Sequence, residues 1–210
     1  MKKADMIKNK IIHLTKDIMF EQGYDLVSIR EIAKKASMNI AAVNYYFLNK
    51  NNLMAEVLVV ILKDLLECLR TKVGEETSLF TIDELALLLF DGLLENRNLY
   101  DNCKRMIFDR GVMNSSAVKK QKDRTLFSPG YSLLYDYLGQ TVTFSDSNAR
   151  QRISWHLQGI IDQSLFLLRN SGEGKHLPVR ESLRKTAQEF GERLDFKKSL
   201  KEEKQMALIQ

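Results

Sequence analysis

Asn39-Ile40-Ala41-Ala42-Val43-Asn44-Tyr45-Tyr46-Phe47, with Lys50 three residues further on, gathers amide, phenol and ammonium groups on one short stretch. An asparagine amide pairs bidentately with the edge of an adenine, and phenols donate to phosphate oxygens without regard to sequence. Small residues such as Ala41 and Ala42 allow a close approach. A lysine at a helix start adds its charge to the helix dipole, so both attract one phosphate. This is the chemistry of groove recognition. The bland alternative is a helical hairpin whose tyrosines pack on a neighbour. Cap, turn length, the alanine pair and the aromatic ending together favour the groove.

Local signals place these groups on a second helix. Ser28 and Glu31 form a Ser-x-x-Glu capping box, so a helix is predicted to begin at Ile29. Ile29, Ile32, Ala33 and Ala36 then recur at helical spacing as one apolar stripe. Ser37, Met38 and Asn39 interrupt it, and Asn39 is suited to cap a helix from Ile40 to about Phe47. On that helix Val43 and Phe47 face the first, leaving Ala41, Ala42, Asn44, Tyr45 and Tyr46 for other sides. Two short helices with this turn have the spacing of a helix-turn-helix. Before them, Ile7, Ile11, Leu14 and Ile18 mark a helix ending at Gly23, and after them Asn51 to Val73 reads as a long amphipathic helix stopped by Gly74. At 1.5 Å per residue the long helix spans about 34 Å.

The stretch from Ile7 to Leu53 resembles the N-terminal domain of the TetR family of bacterial transcriptional regulators. Gly23-Tyr24, then Val27-Ser28-Ile29-Arg30-Glu31-Ile32-Ala33, then Ala42-Val43-Asn44-Tyr45-Tyr46-Phe47, then Asn49-Lys50 with Leu53 carry the resemblance. It covers about a quarter of the chain, and the Asn-x-Ala-Ala-Val-Asn-Tyr-x-Phe version is a recognisable subtype. The family usually has Gly in the turn where Ser37 stands, so this departure points either to a positive φ there or to a slightly different turn; Tyr46 stands where His or Tyr is usual. The resemblance implies an all-α fold with a DNA-binding domain at 1–50, an effector-binding and dimerisation domain at 51–196, and a charged tail at 197–210. It also implies that Arg30 projects near the groove. The expected DNA contacts are Ser28, Arg30, Asn39, Ala41, Ala42, Asn44, Tyr45, Tyr46 and Lys50.

Composition agrees with an all-helical chain in the cytoplasm. The chain has 210 residues, enough for a small reader plus a larger core. Its apolar residues recur at helical spacing, and prolines occur only at 129 and 178. The longest apolar runs, Val57 to Leu62 and Leu85 to Phe90, are far too short to cross a bilayer, and no secretion signal is legible. Cys68 and Cys103, the two cysteines, fall inside predicted helices, so packing is favoured over a disulfide or redox sensor. Nine basic against five acidic side chains up to Lys50 place +4 of the formal charge of +5 in the first fifty residues, beside the motif.

Further helices are predicted from Ile82 to about Asn96, Leu99 to Met113, Pro129 to Gly139 with Ser128 as cap, Asp146 to Ser171 and Val179 to Phe196, with Asn114 to Lys122 a loop or solvated turn. The last two carry more apolar surface than one small domain must bury. The resemblance implies a homodimer made by these two helices; Gly159, Phe166, Leu183, Ala187, Phe190 and Leu194 are the expected interface. Two readers about 34–36 Å apart suit a palindromic operator on double-stranded DNA. The resemblance also implies a small-molecule effector, for which Met106, Phe108, Tyr131, Tyr135, Trp155, His156 and Gln163 offer apolar walls and polar handles. Ordinary packing is the competing reading for each. His13, His156 and His176 lie far apart, neither cysteine has a metal-spaced partner, and no Gly-rich phosphate loop occurs, so no metal, cofactor or catalytic group is expected. Against the effector-responsive repressor stand a helical enzyme or small-molecule-binding protein with a vestigial motif, and a DNA-binding protein of this fold controlled by a protein partner.

Overall fold

Caps written in the sequence punctuate the first seventy residues. The computed structural model describes residues 3–74, 80–121, 124–142, 144, 148–169, 176–192 and 194. Helix α1 (Lys3–Gln22) stops at Gly23, whose φ of 86° suits a residue without Cβ. A 3₁₀ turn, Tyr24–Leu26, leads to Ser28, whose hydroxyl accepts from the Glu31 amide at 3.2 Å and starts α2 (Ile29–Lys35). The other half of the expected capping box is replaced, because the Glu31 carboxylate accepts from Gln22 Nε2 at 2.8 Å. Asn39 Oδ1 accepts from the Ala42 amide at 2.6 Å and opens α3 (Ile40–Phe47). Helix α4 (Lys50–Val73) begins one residue earlier than expected, because Asn49 Oδ1 takes the Asn52 amide at 2.9 Å.

The remaining helices are α5 (Ile82–Glu95), α6 (Arg97–Phe108), α7 (Arg110–Met113), α8 (Ser116–Lys119), α9 (Pro129–Thr141), α10 (Ala149–Arg169) and α11 (His176–Gly191), with a 3₁₀ turn at Arg124–Phe127. Three expectations change here. The single helix expected from Leu99 to Met113 breaks at Asp109, whose carboxylate accepts from the Gly111 and Val112 amides at 2.7 and 3.2 Å and restarts the chain as α7. Within 114–122, Ser115 Oγ accepts from the Val118 amide and starts the short α8. Pro129 takes the first position of α9 as expected, but Ser128 makes no side-chain cap bond. The expected tail at 197–210, the start of α10 at Asp146 and its end at Ser171 lie outside the described residues, and the helix expected to reach Phe196 ends at Gly191.

The chain forms two compact units, Met1–Leu65 with Asn96–Phe127, and Leu66–Glu95 with Ser128–Gln210. Compactness thus departs from linear order, since 96–127 groups with the first 65 residues. In the first unit Ile11, Ile18, Ile32, Val43, Phe47, Leu53, Leu58 and Met106 are buried. In the second, α11 packs along α5 and α10 packs along α9. Arg180 reaches Asp91 through Nη2 at 2.9 Å and Nε at 3.2 Å, Arg184 approaches Asp83 at 3.5 Å, and the Tyr137 hydroxyl donates to the Phe80 carbonyl at 2.7 Å. Among the described residues no helix is long and apolar enough to cross a membrane.

Among the described residues two non-glycine residues have positive φ, Ser37 at 56° and Leu48 at 67°. Ser37 ends the hydrogen-bonded turn after α2, its amide donating to the Lys34 carbonyl at 3.2 Å. A left-handed residue with a Cβ costs about 1 kcal/mol or more, partly offset because glycine enlarges the unfolded ensemble. Ser37→Gly is expected to raise the urea midpoint, by about 0.5 kcal/mol in free energy; a lowered midpoint would show that the turn is not strained.

Candidate nucleic-acid interface

Helix α3 is oriented by two anchors. Val43 and Phe47, four residues apart, are 0% and 3% exposed. Burying side chains of this size contributes about 1.5–3 kcal/mol each, which fixes the rotation of the helix. Ala41 and Tyr45 consequently point outward, with Tyr45 82% exposed, while Ala42, Asn44 and Tyr46 sit half-buried along the flanks. The Tyr45 and Tyr46 rings meet edge to face at 5.3 Å, which holds the second phenol against the first. Asn39 spends its side-chain oxygen on the helix cap, leaving the amide NH₂ as its outward donor.

Basic charge near α3 is partly consumed. Lys16 pairs with Asp64 and Lys35 with Glu21, each at 2.6 Å, and Lys8 pairs with Glu56 while its ammonium lies 5.6 Å from the centre of the Phe47 ring. Arg30 and Lys34 are exposed on α2. Lys50, in the first position of α4, carries its Nζ 5.5 Å from the centre of the Tyr24 ring.

Behind Lys50 lies a polar network that the sequence reading missed. The Tyr24 hydroxyl donates to Asp109 Oδ2 at 2.6 Å, and the Tyr24 amide donates to Asn102 Oδ1 at 2.9 Å. Arg105 donates to Asp25, and Asn98 Nδ2 donates to the Phe20 carbonyl at 3.3 Å. The Tyr24 hydrogen bond, then the Val112 and Gly111 amides and the Lys50 charge, hold the Asp109 carboxyl below its ordinary range against a smaller opposing cost of burial. Burial, with Asp109 as hydrogen-bond acceptor, raises the Tyr24 phenol, which stays protonated and donates. The one local signal was Asp109-Arg110-Gly111, a cap residue and a glycine inside an otherwise helical pattern.

The expected effector contacts are divided between the two units. Tyr131, Tyr135 and Trp155 come together in the second unit, Trp155 stacked on Tyr131 at 4.2 Å and Tyr131 on Tyr135 at 5.7 Å. Arg150, absent from the expected set, covers the far ring of Tyr135 at 3.6 Å. His156 instead stacks on Phe190 at 5.2 Å, and Gln163 is exposed on α10. Met106 and Phe108 belong to the first unit, Met106 fully buried and Phe108 83% exposed where α6 ends at the Asp109 break. Of the expected interface residues, Gly159 and Phe166 are exposed on α10, Phe190 and Leu194 are half-buried, and Leu183 and Ala187 are buried within the chain itself. The last two are corrected to core positions, because the apolar stripe of α11 is spent inside its own unit.

Among the described residues no cluster of histidine, cysteine or carboxylate is arranged to hold a metal. Cys103 is a packing residue, since burial pushes its thiol up to about 12 and leaves it protonated.

A capped helix-turn-helix with its second helix turned outward, in a chain whose described elements are helices, defines the class of helix-turn-helix proteins. Residues 11–57 match the family described as bacterial regulatory proteins, tetR family. A probable HTH-type transcriptional regulator of Bacillus subtilis (strain 168), YttP, is 26% identical over 124 residues; the match spans 59% of each chain. A putative TetR-family transcriptional regulator from Mesorhizobium loti MAFF303099 shares the fold with a TM-score of 0.64 at 17% identity, over 93% of this chain and all of that one. The regulator FadR from Bacillus subtilis, solved with stearoyl-CoA, does so with a TM-score of 0.60 at 15% identity, over 85% of this chain and 96% of its own. Residues 11–57 thus match the N-terminal domain of the TetR family, and the chain shares its fold with solved regulators of that family.

The Asp109 carboxyl has a folded pKa below its unfolded value, so its stabilisation is fully present above the unfolded value of 3.8 and is lost as pH falls through the folded one. Asp109→Asn is therefore expected to be less stable than wild type at neutral pH, with the gap closing in acid. Urea midpoints across an acid series measure it, and a gap independent of pH would contradict the assignment.

Proposed function

We propose that the protein is a dimeric, sequence-specific DNA-binding transcription regulator, a repressor released from a palindromic operator by a small molecule. The observation that carries this reading is the outward face of α3, with Ala41 and Tyr45 exposed and Lys50 opening the next helix. Asn44 reads a base edge, Tyr45, Tyr46 and Lys50 grip phosphates, and Ser28, Arg30, Asn39, Ala41 and Ala42 complete the contact surface. Residues 1–50 serve as the reader, 51–196 bind the effector and dimerise, and 197–210 form a tail. The cytoplasm is the compartment this activity needs. The family match of residues 11–57 and the regulator YttP support DNA binding. The complex of FadR with stearoyl-CoA supports a small-molecule effector, for which the stacked rings of Tyr131, Tyr135 and Trp155 are the contact cluster in the second unit.

Dimerisation is assigned to the outer face of α10. Trp155 and Phe166 are 51% and 61% exposed there, and a Cβ built on Gly159 between them meets nothing within 4 Å. Glycine inside a helix costs about 1 kcal/mol relative to alanine. Among the described residues nothing requires it at 159, whereas a second helix crossing there would use the space it leaves.

Gel shifts with DNA from the gene's own upstream region test the reading as a whole; absence of salt-sensitive, sequence-selective binding sinks it. Asn44→Ala is expected to weaken binding to the selected site while leaving random DNA nearly unchanged. Lys50→Ala is expected to weaken both equally and to lower the salt slope by about one. Identical losses on specific and random DNA for the two variants would reverse these roles. For the dimer, Gly159→Leu is expected to sediment as a monomer with unchanged helix content, and a persisting dimer would move the interface off α10.

A further inference from the structure

Lys50 is seated rather than merely exposed. Its Nζ rests 5.5 Å from the Tyr24 ring centre, and that ring is fixed at both ends. The main chain of Tyr24 is held by its amide donating to Asn102 Oδ1 at 2.9 Å, and the tip of the ring by the hydroxyl donating to Asp109 Oδ2 at 2.6 Å. Asp109 cannot swing away cheaply, because Oδ1 accepts from the Gly111 and Val112 amides at 2.7 and 3.2 Å. Both carboxylate oxygens are therefore engaged, one by α7 and one by the phenol.

The same junction meets α4 directly. A Cβ on Gly111 would lie 2.2 Å from Asn51 Nδ2 and 2.9 Å from Asn51 Cγ, so the start of α7 lies against the residue next to Lys50. Two independent contacts thus link the Asp109 turn to the first turn of α4. A lysine side chain free in water samples many rotamers, and a contact that narrows them raises the fraction poised for one phosphate. The Asp109 carboxylate has the same sign as a phosphate and repels it directly, so any favourable contribution to DNA binding acts on Lys50, through the Tyr24 ring and through its own charge.

We propose that Tyr24 and Asp109 are positioning residues for DNA binding: Asp109 fixes the Tyr24 phenol, and the Tyr24 ring holds the Lys50 ammonium at the phosphate-facing start of α4. The inference rests on the DNA-binding reading above and adds a second layer to it. A residue that acted only on stability would weaken binding by the same factor whether or not Lys50 were present. A residue that acts through Lys50 loses its effect once the lysine is gone.

The test is a double-mutant cycle on the full-length protein, read by fluorescence anisotropy with a labelled mixed-sequence duplex across a potassium chloride series. Lys50→Ala is expected to weaken binding about tenfold and to flatten the salt slope by about 0.9. Tyr24→Phe is expected to weaken it about threefold to fivefold with Lys50 present, and by less than about 1.5-fold with Lys50→Ala. Asp109→Ser, which keeps a cap for α7 but falls short of the phenol, should behave like Tyr24→Phe. Equal factors in both Lys50 backgrounds, or no effect of Tyr24→Phe or Asp109→Ser beside an intact lysine, overturn the proposal. Should Tyr24→Phe melt, the cycle of Asp109→Ser with Lys50→Ala decides in its place. Wild type without salt-dependent binding to any duplex overturns the DNA-binding reading itself. Normal wild-type and Lys50→Ala behaviour with an additive cycle overturns the positioning role alone.

Discussion

The carboxylate of Asp109 is the junction on which the first unit depends. It ends one helix, starts the next and holds the Tyr24 phenol across 85 residues of sequence. Without it, residues 99–113 would extend as the continuous helix that their apolar spacing predicts. Because it interrupts that spacing, Gly111 comes against Asn51 and Tyr24 is fixed beside Lys50. One charged side chain thereby joins a late segment of the chain to the reader. The energetic logic is ordinary: a carboxylate accepting two amides and a phenol is fully satisfied, and leaving any of these donors unmatched would be costly.

The helix-turn-helix was legible almost to the residue because its determinants are local. Ser28 and Asn39 cap the helices they precede, Val43 and Phe47 face inward four apart, and Ser37 has the positive φ that one of the two readings of the family's usual glycine implied. Glu31 was read correctly in position but not in partner, since Gln22 takes its carboxylate. Position follows from short-range rules; partner choice follows from the assembled fold.

That distinction accounts for the rest. Periodicity says that a face of α11 is buried, and Leu183 and Ala187 are, but it is silent on whether the burying surface is α5 of the same chain or a helix of another. Spacing likewise could not sort the aromatic residues. Tyr131, Tyr135 and Trp155 stack in one pile with Arg150 across its end, while His156, adjacent to Trp155 in sequence, turns to Phe190 on another side of the helix. The charge excess of the first fifty residues overstated the positive field near α3, because Lys8, Lys16 and Lys35 are matched by carboxylates. Local electrostatics rest on fewer groups than the count of lysines indicates, which gives Lys50 and Arg30 greater individual weight.

Trp155 is the single tryptophan of the chain. Half-exposed on the outer face of α10 and stacked on Tyr131, it stands between solvent and the ring pile. The protein is therefore built with its own optical reporter. Covering the outer face removes water from the indole and moves its emission to shorter wavelength, whereas parting the stack changes its quenching by the neighbouring ring. Covering of the outer face and rearrangement of the aromatic pile can be followed as separate changes in the colour and brightness of one unlabelled residue.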